Sequence, residues 1–143
     1  MFQVQPVRSR ELQKQIADAI GCPFFENTYA FFAGELSDDA TQITALLGLC
    51  QFTYAPEEAV IQSIAAMPGS EDDEAITVMV RAVMAFLNHA EIPYVFAEET
   101  AASPAYLKKI GFRPVKDDGR LGIDLDKFYR SPCHYDAEEQ QNS

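Results

Sequence analysis

The chain has 143 residues, 48 % of them apolar, and a formal net charge of -11 with a pI of about 4.4. This suits one folded domain with its own core, and the acidic field weighs against DNA, RNA and anionic membrane surfaces as partners. No run of about eighteen apolar residues could cross a membrane, residues 1–10 lack the apolar core of a secretion signal, and Cys22, Cys50 and Cys133 are widely spaced and odd in number, so a cytoplasmic protein with free thiols is expected.

Phe2, Val4 and Val7 alternate around Pro6, which predicts an edge strand. Ser9 can cap a helix with Leu12, Ile16, Ala19 and Ile20 on one face, and Gly21 can end it. Cys22 to Asn27 reads in two ways: a loop whose Phe24 and Phe25 rings plug the core, or the start of a second short helix. Tyr29 to Leu36 reads as a strand, with Asp38 and Asp39 in the turn or loop after it. Leu46 to Tyr54 and Ala59 to Met67 read as two strands joined by a turn at Pro56, Glu57 and Glu58, hence an antiparallel hairpin. The rings of Phe24, Phe25, Tyr29, Phe31 and Phe32 are dense. Most belong in a core, while some can line a substrate cleft or a dimer surface.

The stretch from Pro68 to Phe112 organises the rest. Ser70 is a candidate N-cap with Asp73 three residues on, and Glu71, Asp72, Asp73 and Glu74 fill a first turn where the helix dipole favours negative charge. Ile76, Met79, Val80, Val83 and Phe86 or Leu87 follow a helical period. Ala75, Val78, Ala82 and Ala85 fill much of the remaining circumference, which predicts burial on more than one side. His89 and Glu91 close this helix, and an imidazolium at His89 suits its C-terminal dipole. After Pro93, Tyr94 to Ala97 reads as a short strand. Ser103 and Pro104 open a short helix over Ala105 to Ile110 that Gly111 ends. Phe112 to Val115 and a last strand carrying Leu121, Ile123, Leu125 and Phe128 flank an Asp118–Gly119 hairpin turn, with Asp124 and Asp126 on the solvated face.

The element order predicts an α+β domain over residues 1–135: a mixed sheet with helices on its faces, and a polar acidic tail over 136–143. The Val95 strand follows a long helix, so it should lie parallel to the Ile61 strand through a right-handed crossover.

Element order, Pro68 at the end of the fourth strand, and Gly111–Phe112 after the short helix resemble the GNAT N-acetyltransferases. The resemblance covers about Tyr29 to Tyr129 and implies a mostly antiparallel sheet with helices on both faces. It implies acetyl-CoA as donor, an amine as acceptor, and a monomer or homodimer. Ala66, Met67, Pro68, Ser70 and Thr77 would hold the donor, with a backbone N–H near Ala66 or Met67 facing the oxyanion. Glu98 or Glu99 would act as general base, and Tyr106 as the acid for the departing thiolate. Two departures stand out. Glu71 occupies the family's Arg or Gln position, and Asp72, Glu74 and Ile76 occupy its small-residue positions, where glycine lets the backbone approach a pyrophosphate. The family's tyrosine position falls on Leu107, one residue from Tyr106.

Each residue also has a plainer reading. Glu98 and Glu99 are ordinary loop acids, and Tyr106 is a packing residue. Glu71 to Glu74 form a capping turn or half of a site for a cation or amine. Cys50 is a small buried hydrophobe. Cys133 and His134 are adjacent, but a metal site would need further ligands. The rival to an acetyltransferase is a catalytically inactive protein of the same fold, acting as a small-ligand binder or dimeric interaction module.

Overall fold

Capping chemistry sets the helix boundaries. The Leu12 N–H donates to Ser9 Oγ at 3.1 Å, opening α1 (Arg10–Ile20), and Gly21, at φ 87°, closes it. The long helix α2 (Asp73–His89) is capped by Asp72, whose Oδ1 accepts the Ala75 N–H at 3.1 Å. Asp72 therefore takes the role expected of Ser70, and only Asp73 and Glu74 remain as acids in the first turn. The short helix α3 (Pro104–Lys109) has Ser103 as its cap and Pro104 in its first turn. The structure, a computed structural model, describes residues 1–69 and 72–130. The expectations for Ser70, Glu71, Cys133, His134 and the tail over 136–143 fall outside those residues.

Among the described residues, seven strands form one sheet: β1 (Phe2–Pro6), β2 (Tyr29–Leu36), β3 (Ile43–Tyr54), β4 (Ala59–Ala66), β5 (Tyr94–Ala97), β6 (Arg113–Pro114) and β7 (Leu121–Asp124). Their order is β1-β2-β3-β4-β5-β7-β6, so β1 and β6 form the edges. Neighbours are antiparallel except β4 and β5, which run parallel and are connected through α2. The architecture is α+β, with helices packed on both faces of a mostly antiparallel sheet.

One face carries the larger core. Met79, Val80, Val83, Met84 and Leu87 of α2 are fully buried there against Cys50, Phe52, Ile61 and Val95. Val78 and Ala85 are exposed, so α2 buries a single stripe rather than several sides. On the other face, Ile16, Ala17 and Ile20 of α1 pack on Ala30, Phe32, Leu36 and Leu49. Ala17 takes the inward place predicted for Ala19, which is exposed. Cys22 to Asn27 forms no helix, and Phe24 leans on the α1-side core, as the loop alternative predicts.

The last predicted strand is shorter than expected. Leu125 and Phe128 lie in α4 (Leu125–Arg130), not in β7. Asp124 Oδ1 accepts the Lys127 N–H at 3.0 Å, so the aspartate that read as a solvated strand position caps a helix.

Candidate active site: two clefts at a parting of strands

β4 and β5 pair only where Ala59, Val60 and Ile61 face Val95, Phe96 and Ala97. A last rung follows, with the Glu98 N–H donating to the Ile61 carbonyl at 2.9 Å. β5 ends there while β4 runs on to Ala66, so the strands part. Ser63 pairs with Gln51 and Ile61 with Phe52, which leaves Gln62 as an extra residue on β4. This bulge reverses the alternation of the strand. Before it, Ala59 and Ile61 face the α2-side core; after it, Ile64 and Ala66 do, while Ala65 and Met67 lean on the α1-side core.

The backbone reads the same way. The Met67 N–H donates to the Leu47 carbonyl at 2.8 Å and therefore points at β3. Met67 is thus turned away from the parting, contrary to the expectation that its N–H serves there. The Ile64 N–H points the other way and donates to the Ala101 carbonyl at 2.9 Å. Alternation then directs the Ala66 N–H, two residues on, into the gap.

A cleft of about 500 Å³ opens on the α2 face of this gap. Ile64, Ala66, Ile76, Ala102 and Ala105 form apolar walls, with Ser103 and Tyr106 beside them and Asp73 and Lys109 among the lining residues. Lys109 Nζ lies 3.0 Å from Asp73 Oδ2, with both side chains largely exposed, so solvent weakens the pair. The Tyr106 and Thr77 hydroxyls are hydrogen-bonded at 2.9 Å, linking α3 to α2. Burial raises the Tyr106 phenol above its ordinary range; the Thr77 bond lowers it, and the nearby Asp73 charge raises it. The phenol therefore holds its proton at neutral pH.

The second cleft, of about 840 Å³, is lined by Val60, Phe96 and Ala97, by Glu98, Glu99 and Thr100 after β5, by Pro104 and Leu107 of α3, and by Asp118 to Arg120 with Leu121 at the start of β7. Val60 and Phe96 alternate with the Ile61 and Ala97 of the α2-side core, so they present the opposite face of the sheet. Glu98 and Glu99 are exposed at this cleft. Arg120 binds both oxygens of Glu58, at 2.6 and 3.2 Å, and its Nε donates to Asp118 Oδ2 at 2.9 Å. Its guanidinium lies 3.7 Å from the Phe96 ring centroid.

Hydrogen bonds from Arg120 are the main cause holding the Glu58 and Asp118 carboxyls below the usual carboxylate range; partial burial opposes this. Carboxyls lowered in the folded state stabilise it above their unfolded pKa, and that contribution is lost as pH falls through the folded value. Arg120→Ala is therefore expected to lower the thermal midpoint by several degrees at neutral pH. The deficit should shrink in thermal melts as pH falls through the lowered folded values of the two carboxyls, where they gain protons in either state. An unchanged deficit would mean that the loss of cover over Phe96 dominates.

The residues expected from sequence thus divide between two places. Ala66 and Tyr106 line the α2-side cleft, with Thr77 held to Tyr106, and Glu98 and Glu99 line the α1-side cleft. Pro68 is exposed beyond the end of β4. Sequence reasoning missed Asp73 with Lys109, and Arg120 with Glu58. Each pair joins distant parts of the chain without a local pattern. Cys50 is fully buried, its thiol pushed up to about 12 by desolvation, which makes it unsuited to act as a nucleophile. Among the described residues, no group of three or more His, Cys, Asp or Glu side chains could hold a metal ion. None of their helices is long and apolar enough to cross a membrane.

No family profile matches the sequence, and no curated protein matches it. Solved structures do. The Escherichia coli ribosomal-protein-S18-alanine N-acetyltransferase is 14 % identical, with a TM-score of 0.60 over 87 % of this chain and 94 % of that one. Tetrahymena GCN5 is 14 % identical, with a TM-score of 0.62 over 87 % and 96 % of the two chains. A GNAT family acetyltransferase from Brucella melitensis, solved with acetyl-CoA, is 12 % identical, with a TM-score of 0.61 over 87 % and 88 %. The chain has the fold of the GNAT acyltransferases.

Acetyl-CoA suits this cleft only in part. The apolar walls and the Ala66 N–H match a thioester and its amide-bearing arm. The diphosphate end does not match. At the start of α2, the Asp72 side chain already accepts the Ala75 N–H. Asp73 and Glu74 add carboxylates beside it, and Lys109 is paired with Asp73.

Proposed function

We propose that this protein is an N-acyltransferase that takes an acyl group from a thioester in the α2-side cleft and passes it to an amine in the α1-side cleft. The observation that carries the reading is the pair of clefts that flank α3 where β4 and β5 part, one on the α2 face and the other reaching the opposite face of the sheet at Val60 and Phe96. The Ala66 N–H is directed at the gap and would donate to the carbonyl oxygen as it gains charge. Glu98 or Glu99 would accept the proton lost by the attacking amine, and Tyr106 would donate one to the departing sulfur. The free thiols of Cys22 and Cys50 suit a reducing, cytoplasmic setting.

The test is amide formation followed by mass spectrometry, with thioester donors offered against a panel of primary amines. Tyr106→Phe is expected to lower kcat by about a hundredfold, while leaving thermal stability close to that of the wild type. Absence of product with every donor and amine would leave the binding-only reading. One observation favours that second reading: the Ile64 N–H, the Tyr106 hydroxyl and the Lys109 ammonium all have partners within the chain.

A further inference from the structure

The charges around the α2-side cleft bear on which thioester it takes. Its interior walls, Ile64, Ala66, Ile76 and Ala102, are neutral and apolar. The start of α2 beside it is acidic: Asp72, Asp73 and Glu74 stand near Lys109, which lies 3.0 Å from Asp73, and the other cation that acts on Tyr106, Arg81, donates to the Ile110 carbonyl at 2.7 Å. Helix N-termini attract phosphate through free N–H groups and the dipole. Here the Asp72 side chain takes the Ala75 N–H at 3.1 Å, one of the donors that the first turn would otherwise leave free, and acidic side chains replace positive potential with negative.

We propose that the donor is a neutral acyl-pantetheine-type thioester lacking the nucleotide diphosphate, and that Asp73 and Glu74 select against coenzyme A. This deepens the acyltransfer reading and rests on it. The thioester and its amide arm would fit between the apolar walls, with the Ala66 N–H facing the carbonyl. A diphosphate attached to that arm would reach the carboxylates at the start of α2. Asp73 also withholds Lys109, the cation among the lining residues, from any phosphate.

Calorimetric titration of the full chain with S-acetylpantetheine and with acetyl-CoA, at low and at moderate salt, tests this directly. S-acetylpantetheine should bind the more tightly. Acetyl-CoA should bind better as salt rises, because salt screens a repulsion, whereas an ordinary phosphate site weakens with salt. In Asp73→Asn combined with Glu74→Gln, the affinity for acetyl-CoA relative to S-acetylpantetheine should rise about tenfold. The inference is overturned, with the acyltransfer reading intact, if acetyl-CoA binds as tightly as S-acetylpantetheine or more so and weakens with salt. Binding of neither thioester overturns both.

Discussion

Gln51→Ala is expected to lower the free energy of unfolding by about 4 kcal/mol, read as a fall in the urea midpoint with an unchanged slope. Gln51 is fully buried in the middle of β3 and joins three separate pieces of chain. Its Oε1 accepts from Gln13 Nε2 of α1 at 2.8 Å and from the Phe25 N–H at 3.0 Å, and its Nε2 donates to the Pro23 carbonyl at 2.9 Å. Gln13 Nε2 also donates to Thr28 Oγ1, at 2.9 Å. Truncation removes a large side chain and leaves several polar groups without partners away from water. Gln51→Leu separates the two causes, because it restores much of the volume and none of the hydrogen bonds. It should remain at least about 2 kcal/mol less stable than wild type. If leucine recovers nearly all the stability, the cavity rather than the polar network accounts for the loss.

Gly122→Ala should cost about 3 kcal/mol, which is large for one methyl group. An added Cβ would lie 2.6 and 2.8 Å from two carbons of the Phe96 ring and 2.9 Å from the Val95 carbonyl oxygen. Phe96 is fully buried, directly opposite Gly122 in the β5–β7 ladder, with Arg120 over its ring. The ring has little room to withdraw, and the carbonyl belongs to the ladder itself. Because Phe96 also lines the α1-side cleft, the substitution should disturb acceptor binding in protein that remains folded. Thermal melts give the first effect, and the Michaelis constant for the amine gives the second. A loss below about 1 kcal/mol would show that β5 and β7 separate easily at this point.

Much of this fold was legible because its boundaries are set locally. Ser9 with Gly21, and Ser103 with Pro104, mark helix ends through hydrogen bonds and dihedral preferences confined to a few residues. The hairpin of β3 and β4 announced itself through its turn. What escaped was decided by distant contacts or by competing local rules. Asp124 and Asp126 alternate with apolar residues as in a strand, yet Asp124 caps α4. Four acids precede Ala75, and sequence does not say which of them bends back to the helix.

The bulge at Gln62 matters most for the candidate site. The Ala59-to-Ala66 run carries no glycine or proline to mark a reversal of facing, so sequence alone cannot choose between Ala66 and Met67 at the gap. The Arg120–Glu58 contact spans 62 residues and follows from the folded sheet, not from any short motif.

The two margins of the sheet have a consequence for how copies of this protein can meet. At one margin the Val7 N–H donates inward to Ala30, so the Pro6 nitrogen, one residue earlier, faces outward with no hydrogen to offer. At the other, β6 is only two residues long and ends on Pro114. Among the described residues, neither offers an incoming strand a long, unbroken row of donors and acceptors. Among the described residues, strand-by-strand growth into larger aggregates is therefore blunted at both ends.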